Sequence, residues 1–190
     1  MSVILLVGDR HSGKTSTCRR LAELLRARGA SVGGIVAPAI HEADRCVGYD
    51  VVDLMTGHSA RLAALDGPGV EQVGRFHFLA DGLALGRAAL DNAAESCPRL
   101  VIVDEVGPLE LAGRGWAAHL DQLAGRPGFT LFTVRRNLAG QVAGRWKAAP
   151  QASQDLAWGP DAAIDALISL IETSGMQDKR FPPAQQGSGQ

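Results

Sequence analysis

Gly8-Asp9-Arg10-His11-Ser12-Gly13-Lys14-Thr15 decides how the rest of this 190-residue chain is read. Glycine, four free positions, then Gly-Lys-Ser/Thr is the phosphate-binding loop pattern. The two glycines let the backbone turn tightly and approach a polyphosphate with no side chain in the way. The amides of the loop, from Gly8 to Ser16, can then point inward as an anion nest at the positive end of a helix. Lys14 is the point charge for the β- and γ-phosphates, and the Thr15 hydroxyl is a hard oxygen ligand suited to Mg²⁺. The flanks supply the required context: Val3-Ile4-Leu5-Leu6-Val7 reads as a buried strand, and 15–28 as a helix stopped by Gly29.

Working outward, 31–37 reads as a second strand closed by Pro38, and 47–52 alternates as a strand should. Met55-Thr56-Gly57 is a turn and 58–62 an antiparallel return, which predicts a β-hairpin inserted before the next helix. A short strand over 73–78 and a helix over 83–95 follow. Leu100-Val101-Ile102-Val103 is the clearest buried strand after the first. Beyond it come a helix over 115–123, a strand over 129–134, a helix over 138–147, a short last strand over 155–158 and a closing helix over 161–172 capped by Asp161. Residues 1–173 are expected to form a single domain, with 174–190, rich in Pro, Gln and Gly, as a disordered tail.

An apolar strand that ends in Asp is the second element a phosphate-loop enzyme needs, and Asp104 is the candidate to hold Mg²⁺. Glu105 follows it, a candidate base to orient and deprotonate a water. An acidic residue directly after the metal-binding Asp is typical of phosphate-loop proteins with one strand between the loop strand and the metal strand. That predicts a three-layer α/β fold, mainly parallel, with core strand order 5-1-4-3-2 and 129–134 as the intervening strand. Thr133 or Arg135 would then approach the γ-phosphate as sensor or charge stabiliser. Arg136 and the loop residue Arg75 read as surface. Trp116, Trp146 and Trp158 read as core rather than base-stacking groups.

Composition narrows the class. Apolar content is 46%, charged content 21% and net charge −1, so nothing argues for a nucleic-acid surface. No stretch approaches the ~20 apolar residues of a membrane span. Cys18, Cys46 and Cys97 lack metal-ligand spacing and suit free thiols. With no basic segment before the short first apolar run, a cytoplasmic protein is expected.

Asp104-Glu105-Val106-Gly107-Pro108-Leu109-Glu110-Leu111 resembles the Asp-Glu-Ile/Val-Gly-Pro-Met/Leu-Glu signature of the small P-loop nucleoside-triphosphatases first described from thermophiles, also called cancer-related nucleoside-triphosphatases. Three more stretches are similar to segments of that family: Val47 to Leu54 with Thr56-Gly57, Val73-Gly74-Arg75-Phe76, and Thr133-Val134-Arg135-Arg136. The resemblance spans roughly residues 3–147. It implies Mg²⁺-dependent hydrolysis of nucleoside triphosphates with broad base tolerance. The chain departs from the family at Ala37-Pro38-Ala39-Ile40-His41, which lacks the usual Glu and Arg. It also lacks an Asn-Arg segment around Ala157-Trp158-Gly159-Pro160. Two alternatives stay open: a nucleotide or small-molecule kinase, and a nucleotide-switched accessory protein for cofactor or metal assembly, with a protein partner still to be identified.

Overall fold

The computed structural model describes residues 2–175. Apolar alternation builds its centre. In β1 (Ser2–Val7), Val3 and Leu5 pack on one side of the sheet, while Ile4 and Leu6 pack on the other. β8 (Leu100–Val106) and β9 (Phe129–Val134) divide their side chains in the same way. Strands covered on both faces read as continuous apolar runs, which is why these three stand out in the sequence.

Helices α1 (Lys14–Ala27) and α6 (Pro160–Gly175) cover one face through Leu21, Leu25, Ile164 and Leu167. The other face is covered by α2 (Ala80–Ser96), α4 (Ala117–Ala124) and α5 (Ala139–Trp146), through Leu90, Leu120 and Trp146. A one-turn helix, α3 (Pro108–Leu111), follows β8 directly. The result is a three-layer α/β sandwich. No helix among the described residues is long and apolar enough to cross a membrane.

With β2 (Val32–Val36) and β10 (Gln154–Asp155), the parallel strands run β10-β1-β9-β8-β2, which is the predicted order 5-1-4-3-2. The insertion extends this sheet. β4 (Arg45–Asp53) pairs antiparallel with β2, and β5 (Ser59–Ala64) with β4. At the β4–β5 turn the Asp53 carboxylate accepts from Met55 N at 2.8 Å and Thr56 Oγ1 at 2.7 Å. That explains the Asp-Leu-x-Thr-Gly run as a side-chain-locked turn.

Four details differ from the sequence reading. β3 (Ala39–Glu42) is an unanticipated strand; it pairs with β4 through a two-residue turn, Ala43-Asp44, with both φ values positive. Residues 73–78 are not one strand but the arms of a hairpin, β6 (Glu71–Val73) and β7 (Phe76–Phe78), because Gly74 turns at φ 60°. The last strand stops at Asp155, whose carboxylate accepts from Ala157 N at 2.8 Å and turns 156–158 into a 3₁₀ turn. Asp161 is not the cap of α6: the helix starts at Pro160, and Asp161 sits in its first turn, paired with Arg20 at 2.5 Å. Of the expected tail, residues 174 and 175 belong to α6, and 176–190 lie outside the described residues.

Gly34 is the tightest point of the sheet. Its φ is +96°, and a Cβ there would lie 2.0 Å from the carbonyl oxygen of Ile102 on β8. Backbone on both sides leaves nothing to give way. Gly34→Ala is expected to destabilise the fold by roughly 3 kcal/mol or more. Urea unfolding measures this, and an unchanged midpoint would contradict the strand packing described.

Candidate active site

The loop 8–13 leaves β1 at the carboxyl edge of the parallel strands and enters α1. Gly8 N donates to Val134 O at 3.1 Å, anchoring the loop to β9. His11 (φ 59°) and Gly13 (φ 86°) take left-handed conformations, the backbone from which an anion nest is built, and Ser12 N donates to Asp9 O at 3.3 Å. Asp9, Arg10, His11, Ser12, Gly13 and Ser16 are exposed, while Gly8 and Lys14 are buried. No acidic residue lies in the first turn of α1, so nothing there opposes an anion at its positive end. Lys14 arches back across the loop, with Nζ donating to Gly8 O at 3.1 Å and Asp9 O at 2.8 Å.

Asp104 is where four elements meet. Its Oδ2 accepts from Ala37 N at 3.2 Å, just beyond β2, and its Oδ1 from Thr133 Oγ1 of β9 at 2.5 Å. The Thr15 hydroxyl of α1 stands near enough to the same carboxyl to favour its charged form. Burial pushes the Asp104 carboxyl above its ordinary value; Thr133, Thr15 and Ala37 N pull it back, and the nearby Glu105 charge adds to the rise. Only 2% of Asp104 is exposed, and it forms no ion pair among the described residues. A buried carboxylate held by hydroxyl and amide donors, without a cation, suits a metal ion.

The donor set fits Mg²⁺ in particular: one carboxylate and one hydroxyl, both hard oxygens, near each other. Among the described residues, no group of three or more His, Cys, Asp and Glu side chains is placed to hold a metal. A cation here would therefore complete its shell with phosphate oxygens and waters, as Mg²⁺ ordinarily does.

Glu105 stands beside Asp104 across a cis peptide bond, at the point where β8–β9 pairing skips from Val103 to Val106. Its side chain is 31% exposed, within reach of solvent. Arg135 Nε lies 2.7 Å from Glu105 Oε1. The Nε–H does not point along that line, so the ion pair is electrostatic and this buried N–H has no hydrogen-bond acceptor. The structure thus brings together Lys14, Thr15, Asp104, Glu105 and Arg135. Thr133 differs from the expected γ-phosphate sensor: fully buried, its hydroxyl is committed to Asp104.

Two residues passed over in the sequence bear on Glu105. Glu110, 4% exposed, accepts from Gly107 N at 2.9 Å and Trp116 N at 3.3 Å, pinning the turn that follows Glu105. Burial raises its carboxyl above the usual range, and those backbone bonds oppose the rise. Its spacing from Gly107 is that of a capping box, a signal visible in the sequence. Tyr49 of β4 is pushed up to about 12 by burial, then by a hydrogen bond with Cys46 and the charges of Cys46 and Glu105, while Arg10 opposes the shift. The inserted strands therefore stand beside the site, with Tyr49, Glu105 and Arg10 in one electrostatic neighbourhood. Arg75 belongs to the insertion's own packing: it donates to Cys46 O at 3.0 Å and lies 5.0 Å over Phe76, which meets Tyr49 edge-on at 5.2 Å.

Arg136 is more than surface. It grips Asp155 with both terminal nitrogens and holds its Nε 3.6 Å from Asp9 Oδ2. This fork keeps the Asp155 carboxyl below the usual range and raises Arg136 in turn. Trp116 and Trp146 are core, each 4% exposed, but Trp158 is 73% exposed, against expectation. The 3₁₀ turn lifts it out of the strand ladder that would have buried it.

A phosphate loop on the central strand, with a buried carboxylate two strands along, defines a P-loop protein of the three-layer α/β class. A family model described as NTPase matches residues 3–153, and the chain belongs to that family. It is 33% identical over 131 residues to nucleoside-triphosphatase THEP1 of Methanopyrus kandleri, covering 69% of this chain and 72% of the relative. Two solved structures share the fold. THEP1 of the hyperthermophile Aquifex aeolicus has a TM-score of 0.66 at 17% identity, over 90% of this chain and 99% of that one. A human cancer-related nucleoside triphosphatase has a TM-score of 0.66 at 19% identity, over 95% and 100%.

Proposed function

We propose that this chain hydrolyses nucleoside triphosphates to diphosphates and phosphate in a Mg²⁺-dependent reaction. The carrying observation is buried Asp104, held by Thr133 and Ala37 N at the phosphate-loop edge of the sheet beside a solvent-reached Glu105. The triphosphate lies in the nest of loop amides, and Lys14 turns from the Gly8 and Asp9 carbonyls to the β- and γ-phosphates. Thr15 and Asp104 would hold Mg²⁺, which would supply charge neutralisation to the phosphates. Thr133 and Ala37 N keep the Asp104 carboxylate oriented.

Glu105 accepts a proton from a water as that water's oxygen bonds to the γ-phosphorus. The bond from that phosphorus to the β–γ bridging oxygen breaks, and the diphosphate leaves with the electron pair. Arg135, already beside Glu105, turns its guanidinium toward the β–γ bridging oxygen, where negative charge develops as that bond breaks. We further infer that residues 1–173 work as one domain, since loop, metal carboxylate and insertion share one sheet. Three free thiols support a cytoplasmic setting.

The test is phosphate release by the purified chain from ATP and GTP with no other acceptor present. Release with Mg²⁺ is expected, and chelation by EDTA should cut it at least about a hundredfold, with recovery on adding Mg²⁺ back. No phosphate from any nucleoside triphosphate under these conditions would sink the proposal.

A further inference from the structure

The mechanism leaves one conspicuous side chain unused. Trp158 is 73% exposed, while the other two tryptophans are 4% exposed. A large aromatic face kept in water at a rigid position is an uncommon arrangement for Trp. The position is rigid because Asp155 accepts from Ala157 N at 2.8 Å, Gly159 N donates to Leu156 O at 3.1 Å, and α6 begins at Pro160.

Its place in the sheet is specific. β10 pairs in parallel with β1, and Asp155 lies opposite Val7, the last residue before the phosphate loop. The turn carrying Trp158 therefore leaves the sheet at the same edge as the loop, on its β10 flank. Arg136 ties that flank to the loop by bridging Asp155 and Asp9. Asp104, the candidate metal carboxylate that marks the γ-phosphate end, belongs to β8, on the other side of β1. A triphosphate with its γ end at Asp104 carries its nucleoside away from β8, toward the β10 flank.

We propose that Trp158 is the stacking platform for the nucleobase, and that the site holds the base by its face rather than by its edge. The inference rests on the reading of 8–15 as a triphosphate cradle. Both terminal nitrogens of Arg136 are engaged by Asp155, and Asp155 is engaged by Arg136 and Ala157 N. These groups are therefore committed to each other rather than to a base edge. Stacking strength then ranks the substrates: purines, with the larger π face, bind better than pyrimidines, and adenine and guanine bind alike.

The experiment compares the full chain with Trp158→Ala and Trp158→Phe. Substrates are ATP, GTP, CTP and inorganic tripolyphosphate, which has no base. Trp158→Ala should raise KM for ATP and GTP roughly ten- to a hundredfold at nearly unchanged kcat. CTP should suffer less, Trp158→Phe should retain most of the affinity, and tripolyphosphate should be hydrolysed as by wild type. Unchanged KM for ATP, or an equal rise for ATP and tripolyphosphate, would overturn the proposal. Binding is read separately, by tryptophan fluorescence with a non-hydrolysable ATP analogue. Quenching by the analogue but not by tripolyphosphate, lost in Trp158→Ala, supports the platform even if turnover is absent. Quenching that persists in Trp158→Ala overturns it even if hydrolysis is confirmed.

Discussion

Glu105→Gln is expected to lower kcat by about 10²–10⁴ while leaving nucleotide affinity nearly unchanged. The substitution is isosteric, so the side chain can still accept a hydrogen bond from a water but can no longer take its proton. Its surroundings favour a clean result. The turn after Glu105 is pinned by Glu110 through Gly107 N and Trp116 N, and Asp104 is held by Ala37 N and Thr133 Oγ1. Neither set of bonds involves the Glu105 carboxylate. The loss should fall on kcat, because water activation belongs to the transition state and not to triphosphate binding. Removing the charge also releases Arg135 from its partner at 2.7 Å. That change favours the γ-phosphate as partner and, if anything, tightens binding. Single-turnover phosphate release, set beside the affinity for a non-hydrolysable analogue, separates the two effects. Turnover equal to wild type would remove Glu105 as the base.

Lys14→Ala should cost both binding and chemistry, with kcat/KM lower by about 10²–10³ or more, the scale for losing one preorganised donor to a developing charge. Lys14 has two tasks. Its ammonium closes the loop through the Gly8 and Asp9 carbonyls, and in the complex it meets the β- and γ-phosphates. Alanine removes the cation from a position only 6% exposed and leaves those carbonyls facing the cradle unopposed. Lys14→Arg should not rescue, since the planar fork needs more room than the ammonium it replaces. A thermal shift gives an independent reading. ATP with Mg²⁺ should raise the melting midpoint of wild type by linkage and leave that of Lys14→Ala unmoved. Equal shifts would place the phosphate elsewhere.

What could be read in advance was whatever depends on near neighbours along the chain. The loop 8–15 specifies itself because glycine spacing, the lysine and the threonine act within one turn of backbone. β1, β8 and β9 were legible because burial on both faces writes an apolar run. Acidic Glu105 after Asp104 was enough to place β9 between β1 and β8, and the sheet has that order. Short elements were lost where their turns carry no ordinary signal. The β3–β4 turn is Ala43-Asp44, with positive φ on two residues that rarely advertise it.

The partnerships were not legible at all. That Thr133 would spend its hydroxyl on Asp104, 29 residues away, depends on β8 and β9 lying side by side with their pairing interrupted between Val103 and Val106. That Arg135 would rest on Glu105, and Arg136 on both Asp155 and Asp9, depends on loops that meet only after the sheet forms. Trp158 makes the point most sharply: aromatic character suggested core, but one hydrogen bond from Ala157 N to Asp155 ends the strand and turns the ring into water. By itself the sequence determined the phosphate-loop pattern, the candidate metal carboxylate and the strand order, because spacing, backbone conformation and burial of apolar runs are local properties. Tertiary structure alone decided which charges pair, how the insertion flanks the site and which aromatic is exposed, because those are contacts between residues that the chain keeps far apart.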